Sequence, residues 1–178
     1  RRRAARRTTS SVLVVPEGTN HAPEHIIAAV DESRFAPNAV RVASALARMH
    51  ELPLTVLHVF PPAFGTYERA IRSAKHLVAE ARGRKVRTQD RAAVPPSLAP
   101  STMRWLMQLG HAHHVLGRDT TEVVLGDPAR EIVRTAMDRG RALVVVGMRG
   151  ADEAPPGSIG SVTRELLTRG PMPVLAVN

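Results

Sequence analysis

The sequence predicts an α/β domain with a mostly parallel sheet and helices on both faces. Short apolar runs alternate with longer segments whose apolar residues recur at helical spacing. Residues 142–146 read Ala-Leu-Val-Val-Val, which is typical of a strand buried on both faces. Glycine and proline stand where the predicted elements end, as at Gly147 and at Pro61-Pro62. This alternation favours right-handed crossovers and a ligand site at the carboxyl ends of the strands.

The predicted elements follow one another in strand–helix order. The apolar runs predict strands at residues 12–15, 26–30, 54–59, 122–125, 142–146 and 173–177. Helical spacing predicts helices that begin at 33–37 and that cover 67–81, 101–109, 128–139 and 161–169. The polar, proline-bearing residues 83–100 are expected to form a loop.

Two helix starts carry recognisable signals. The first helix is expected to take either Ser33 as its cap or Pro37 in its first turn. The helix after Gly126 is expected to be capped by Asp127, with Pro128 at its first position. Its buried stripe is predicted to consist of Ile132, Val133, Ala136 and Met137.

Composition narrows the function classes. At 178 residues the chain is large enough for one well-packed domain. It has no cysteine, which excludes disulfides, thiolate metal sites and a cysteine nucleophile, and a cytoplasmic location is expected. Its apolar runs are too short to span a membrane. The net charge is +9, and five arginines lie within residues 1–7, but without a nucleic-acid module we expect this cluster to be a solvated segment.

The strongest chemical signal is the set of glycines after residue 146. Gly147 and Gly150 end a predicted strand and would let backbone N–H groups approach a ligand. Gly160 and Ser161 begin a predicted helix, whose first N–H groups and positive dipole end favour an anion. The Ser161 hydroxyl would either cap this helix or bond a phosphate oxygen. These residues predict a phosphate site, and two ordinary turn-forming loops are the alternative.

The spacing of these residues resembles a known signature. Two residues separate Gly147 from Gly150, and nine separate Gly150 from Gly160-Ser161, as in the nucleotide-binding motif of the universal stress protein family. Residues 25–33, with Asp31, resemble the opening strand of that family. Residues 57–59 and 126–132 resemble two later junctions, so the similarity covers about residues 24 to 178.

The resemblance implies a fold and a ligand. The fold would be a Rossmann-like sandwich of the adenine nucleotide alpha hydrolase-like type, with a five-stranded parallel sheet in the order 3-2-1-4-5. ATP, with Mg²⁺, is the implied ligand. The residues that match the family's binding positions are Val30, Asp31, Val59, Gly147, Met148, Arg149, Gly150, Gly160, Ser161, Val162 and Thr163. Without the resemblance, Asp31 is equally well explained as a turn-forming carboxylate.

Three functions stay open. The first is an ATP-binding regulatory module of the stress response with little or no turnover. The second is a dimerising scaffold that binds no nucleotide or binds cyclic AMP, which the acids Asp152 and Glu153 and the stiff Pro155-Pro156 pair in the nine-residue loop would favour. The third is an ATP-using enzyme, but the chain lacks the Gly-Lys pair of a P-loop, so at most weak ATPase activity is expected. Neither a catalytic residue nor a metal site at His111, His113 and His114 is expected.

The amino-terminal residues suggest a repeat. Residues 7–15 resemble residues 169–177, since both read as a helix end, a turn and a short apolar strand. We therefore expect residues 1–23 to be a basic segment and linker, with residues 1–17 as the remnant of a preceding similar domain, and residues 24–178 to be the domain itself. The resemblance implies a homodimer or a tandem pseudo-dimer through the last strand. The strand at 12–15 is a competing partner for that edge, within one chain or between chains.

Overall fold

The computed structural model describes residues 10–31, 33, 35–60, 119–149 and 158–178. The predicted helices at 67–81 and 101–109, the predicted loop at 83–100 and the histidines at 111, 113 and 114 lie outside the described residues. Gly150 and the acidic and proline residues that follow it also lie outside them.

The described residues form six strands and three helices. The strands are β1 (Val12–Val14), β2 (His25–Val30), β3 (Leu54–Phe60), β4 (Thr120–Leu125), β5 (Ala142–Gly147) and β6 (Val174–Val177). The helices are α1 (Ala36–Met49), α2 (Pro128–Asp138) and α3 (Ser161–Arg169). Every strand predicted from an apolar run is confirmed, with bounds that differ by one or two residues.

The strands form one sheet in the order β1-β6-β5-β2-β3-β4. The pairs from β6 to β4 are all parallel, and the five strands from β2 to β6, numbered alone, stand in the order 3-2-1-4-5. The predicted mostly parallel sheet and its strand order are confirmed, and only the number of strands differs, because β1 adds a sixth strand antiparallel to β6, with Val12 opposite Ala176. Val12 can take this place because the outer backbone groups of β6 would otherwise lack partners.

The sheet separates two apolar cores. One core joins α1 to one face of the sheet, with Val40, Ala43, Val56 and Val145 fully buried. The other joins α2 and α3 to the opposite face and includes Leu166. Helices therefore cover both faces, which is the layered arrangement expected when strands are buried on both sides.

The buried stripe of α2 differs from the prediction at one end. Ile132 and Ala136 are buried and Val133 is partly buried, whereas Met137 is 57% exposed. Thr135 is buried in its place. Burial follows the helical steps of three and four residues from Ile132. Residue 137 comes one residue after Ala136, and the rotation of about 100° per residue turns it away from the core.

The two helix starts resolve the sequence alternatives. The helix α1 begins at Ala36 with Phe35 as its N-cap residue and with Pro37 in the first turn, so Ser33 is not the N-cap. The helix α2 begins as predicted, because the Asp127 carboxylate accepts a hydrogen bond from the Arg130 amide at 2.9 Å and Pro128 occupies the first position. Within the described residues, no helix has the length and apolar character that crossing a membrane requires.

Candidate functional site

The carboxyl ends of β2 and β5 lie side by side in the middle of the sheet. These strands are parallel neighbours, with Ala29 opposite Val146, so the turn after Val30 lies beside Gly147. The crossovers from β2 and from β5 lead to helices on opposite faces, which leaves a crevice above the strand ends. The predicted convergence of Asp31 with Gly147 is thus confirmed at the level of the backbone.

The turn that follows β2 is held by side chains. The Asp31 Oδ1 atom accepts a hydrogen bond from the Ser33 amide at 3.1 Å. The Ser33 hydroxyl accepts one from the Phe35 amide at 3.2 Å, and the Ser33 carbonyl accepts one from the Ala36 amide at 3.2 Å. Asp31 therefore has the turn-forming role that sequence reasoning gave as the alternative.

Gly147 lies between the turn after β2 and the start of α3. Its carbonyl accepts a hydrogen bond from the buried Thr163 hydroxyl at 2.7 Å. A Cβ atom on Gly147 would lie 3.1 Å from the Arg149 carbonyl oxygen and 3.4 Å from Phe35 Cβ. The missing side chain thus permits the close approach of Phe35 and of the loop that follows β5.

The first turn of α3 is anchored to the loop after β5. The Gly160 amide donates to the Met148 carbonyl at 3.0 Å, so this amide is already engaged. Gly160 is the N-cap residue and Ser161 is the first helical residue, so Ser161 does not cap the helix and its exposed hydroxyl is available to a ligand. The amides of Ser161, Val162 and Thr163 belong to the turn that lacks intrahelical acceptors.

Arg149 lies over the ring of Phe35. Its guanidinium carbon is 5.1 Å from the ring centroid, and a guanidinium N–H donates to Asn178 Oδ1 at 3.2 Å. The neighbouring Met148 is buried in the core on the α3 side, and its amide donates to the Val177 carbonyl at 2.6 Å. The loop after β5 is therefore tied to the end of β6 and to the start of α1.

Sequence reasoning missed two residues near this crevice, Phe35 and His58. The buried His58 Nδ1 lies 2.9 Å from the Val30 carbonyl, and because a carbonyl only accepts, Nδ1 carries the proton. This bond joins the ends of β2 and β3, where Val59 is also buried. His58 lies within residues 57–59, which resemble the family, but it is not one of the positions that match the family's binding residues.

A second polar cluster lies at the amino ends of the strands. His25 Nε2 is 2.8 Å from the Thr55 hydroxyl, which is 2.9 Å from the Thr120 hydroxyl. Nearby, Arg139 forms an ion pair with the buried Glu122. Burial of the imidazole, reinforced by the positive charge of Arg139, lowers the pKa of His25 from 6.5 to about 4.

The cluster at the amino ends is closed by its own partners. The Asp119 carboxylate accepts a hydrogen bond from the Leu54 amide at 3.0 Å, and Glu24 forms an exposed ion pair with Arg141 at 2.7 Å. No group of three or more metal-ligating side chains occurs within the part of the chain that the structure describes. We therefore take the crevice at the carboxyl ends as the candidate site.

The family follows from comparison with known proteins. A model of the Universal stress protein family matches residues 23–178. The chain belongs to the universal stress protein family. The match includes both strand ends and the helix start that form the crevice, so the sequence resemblance to this family is confirmed.

Three relatives place the chain within the family. Universal stress protein Rv2623 of Mycobacterium tuberculosis (strain H37Rv) is 29% identical over 168 residues, which cover 86% of this chain and 47% of the relative. The chain thus spans about half the length of that relative. A universal stress protein solved in complex with cAMP has a TM-score of 0.60 at 20% identity, covering 89% of this chain and 99% of the other.

The third relative is the universal stress protein from Archaeoglobus fulgidus solved in complex with dAMP. It has a TM-score of 0.54 at 20% identity, and the match covers 88% of this chain and 98% of that one. At these identities the two solved structures establish the shared fold. The ligands cAMP and dAMP belong to those two proteins.

Proposed function

We propose that this chain is an ATP-binding universal stress protein domain with a regulatory role in the stress response and with little or no turnover. The observation that carries the proposal is the placement of Gly147 between the end of β2 and the first turn of α3. A nucleotide laid over the strand ends would have Val30, Asp31 and Val59 on its base and ribose side. Its phosphates would face the helix start.

The phosphate end of this site is made of backbone groups. The amides of Ser161, Val162 and Thr163 and the positive end of the α3 dipole favour an anion, and the exposed Ser161 hydroxyl adds a donor. Donors of this kind bind phosphate by charge and hydrogen bonding, which supports a phosphate-binding role for the start of α3. Mg²⁺ would neutralise the charge of the triphosphate, with its remaining ligands supplied by water.

A cyclic nucleotide is the second candidate ligand. The support for it is that one relative with the same fold was solved with cAMP and another with dAMP. Both ligands share adenine, a sugar and one phosphate with ATP, so the same crevice would accept the common part. The difference between the candidates lies in the number of phosphates that reach α3.

A charge placed at the start of α3 tests the proposal. We expect Ser161→Asp to weaken the binding of ATP with Mg²⁺ by tenfold or more, because a carboxylate repels the phosphates. The same carboxylate favours the helix dipole, so the loss cannot come from a destabilised helix. Thr168→Asp, at the other end of the same helix, is the matched control and should keep the affinity.

Isothermal titration of both variants with ATP and with cAMP is the measurement. Loss of ATP binding in Ser161→Asp alone supports the ATP site, and a site that prefers cAMP in the wild-type chain favours the second candidate. A wild-type chain that gives no heat and no thermal shift with either nucleotide would contradict nucleotide binding and favour the scaffold function.

Three further expectations stay predictions. They are the division into residues 1–23 and 24–178, the dimer or tandem pair through the last strand, and the cytoplasmic location. The outer edge of β6 is already paired with β1 in the same chain. A second copy would therefore have to displace β1 or add to it. Removal of residues 1–17 should change the mass in light scattering if β1 controls that edge.

A further inference from the structure

Arg149 carries a charge that no acidic side chain of the described residues neutralises. Its two partners are the Phe35 ring, with the centroid 5.1 Å away, and the neutral Asn178 Oδ1 at 3.2 Å. A guanidinium has five N–H donors, and contact with the ring face uses none of them as a hydrogen-bond donor, so the bond to Asn178 engages one donor. The cation is therefore held in one place while it can still bind an anion.

The Phe35–Arg149 pair lies directly beside Gly147. The Phe35 Cβ atom and the Arg149 carbonyl oxygen both border the space that a Cβ on Gly147 would fill. On its other side, the Gly147 carbonyl accepts the hydroxyl of Thr163 from the first turn of α3. Gly147 thus contacts both the Phe35–Arg149 pair and the first turn of α3, which makes it the point where a bound phosphate would meet both.

We propose that Phe35 is a positioning residue that holds Arg149 for the 5′-phosphate of a bound adenine nucleotide. This inference rests on the proposed function and states which part of the ligand is recognised. An unsupported loop arginine must lose side-chain freedom when it binds a phosphate. The ring and Asn178 have already restricted that freedom here, so the bidentate geometry that guanidinium offers to phosphate is prepared.

The experiment compares adenosine with AMP. The ratio of the two dissociation constants measures the contribution of the phosphate, and adenosine alone reports the base and ribose part of the site. We expect Phe35→Leu to reduce this ratio by about three- to tenfold, which is the change in affinity that the loss of one cation–π contact produces. The dissociation constant of adenosine should stay the same. Phe35→Tyr keeps an aromatic face and should keep the ratio.

Two changes at Arg149 complete the test. Arg149→Lys keeps the charge but loses the planar stack, so it should reduce the ratio as Phe35→Leu does. Arg149→Gln should reduce the ratio most, and adding Phe35→Leu to it should have no further effect, because the ring acts through the guanidinium. Circular dichroism of each variant verifies that the chain is folded.

Each outcome decides the question. A reduced ratio in Phe35→Leu that disappears in the Arg149→Gln background supports the inference. An unchanged ratio, or an equal loss of adenosine and AMP, overturns it, since Phe35 would then contribute to packing or contact the base. A wild-type chain that binds neither adenosine nor AMP would overturn the proposed function, and this inference with it.

Discussion

The polar side chains at the two ends of the central sheet have different kinds of partners. At the amino ends, side chains pair with one another, as in His25 with Thr55 and Arg139 with Glu122. At the carboxyl ends, polar side chains mainly hold the backbone in place, as Ser33 does for the turn after β2 and Thr163 does for Gly147. The first end is closed by its own contacts, and the second presents backbone groups to a crevice.

This difference shows why polarity alone does not locate a site. The amino end contains the more conspicuous chemistry, with a histidine of shifted pKa and a buried ion pair. A perturbed titratable group is only a candidate for function, because structural networks also shift pKa values. We therefore expect substitutions at the amino end to change stability, and those at the carboxyl end to change ligand binding as well.

Among the polar contacts at the two ends of the sheet, the largest stability effect should come from the ion pair at the amino end. Glu122→Ala leaves the mostly buried guanidinium of Arg139 without its carboxylate. We expect a loss of about 2–3 kcal/mol in the free energy of unfolding, measured with urea, and no change in nucleotide affinity. Glu24→Ala breaks an exposed ion pair at the same end and should cost less than about 0.5 kcal/mol. Equal losses in the two variants would contradict the assignment of Glu122 as a buried structural partner.

The next effect is a dependence of stability on pH. The folded state holds the pKa of His25 at about 4, below the value of 6.5 in an unfolded chain. Between these values the unfolded state binds the proton and the folded state does not, so stability is full above pH 6.5 and falls as the pH drops toward 4. We expect a loss of about 1–2 kcal/mol, limited because the ring is partly exposed to solvent.

Urea unfolding at several pH values between 7 and 4 measures the contribution of His25. His25→Gln keeps a side chain that can bond the Thr55 hydroxyl but cannot titrate in this range, so its curve should be flatter. A variant that loses stability as steeply as the wild-type chain would assign the effect to other groups.

A pair of identical substitutions compares the two ends directly. Thr55→Val removes the hydroxyl that bonds His25 and Thr120, and Thr163→Val removes the one that bonds the Gly147 carbonyl. Each should lower stability by about 1 kcal/mol. Only Thr163→Val should also weaken nucleotide binding, by several-fold, because Gly147 and the start of α3 would lose their alignment. Titration with ATP measures this, and equal affinities in the two variants would remove the functional distinction between the ends.

The smallest effect is expected on the exposed face of α2. Met137 is exposed and belongs to neither of the polar clusters at the ends of the sheet. We expect Met137→Gln to change the free energy of unfolding by less than about 0.5 kcal/mol. Ala136→Gln, one residue earlier, would place an amide in the core and should destabilise the chain severely. A large loss from Met137→Gln would mean that this methionine is covered by a partner in solution.

The sequence predicted the position of each strand along the chain better than it predicted how many strands the sheet contains. Uninterrupted Val-rich runs such as 142–146 identify buried strands because the pattern is local. The strand at 12–15 was expected to compete for the edge of the last strand, and β1 pairs with β6 there although the two strands lie far apart in the sequence. Local signals, however, left pairing within one chain and pairing between chains equally open.

The site was predicted from spacing, and its internal bonds were not. The glycine pattern located Gly147 and the start of α3, because glycine and helix-start preferences act over a few residues. The contact of Phe35 with Arg149 depends on the side-by-side placement of β2 and β5, which are far apart in sequence. The engagement of the Gly160 amide by Met148 likewise follows from the path of the loop.

The pairing of β1 with β6 has a consequence for the order in which the chain assembles. The ribosome makes β1 before the other described strands and makes β6 after them, so this pair of the sheet can form only after all the other described strands have been made. Closing such a long loop is entropically costly and slow compared with local pairing. Until β6 has been made, β1 has no partner strand in this sheet, and its backbone groups are open to pairing with other chains.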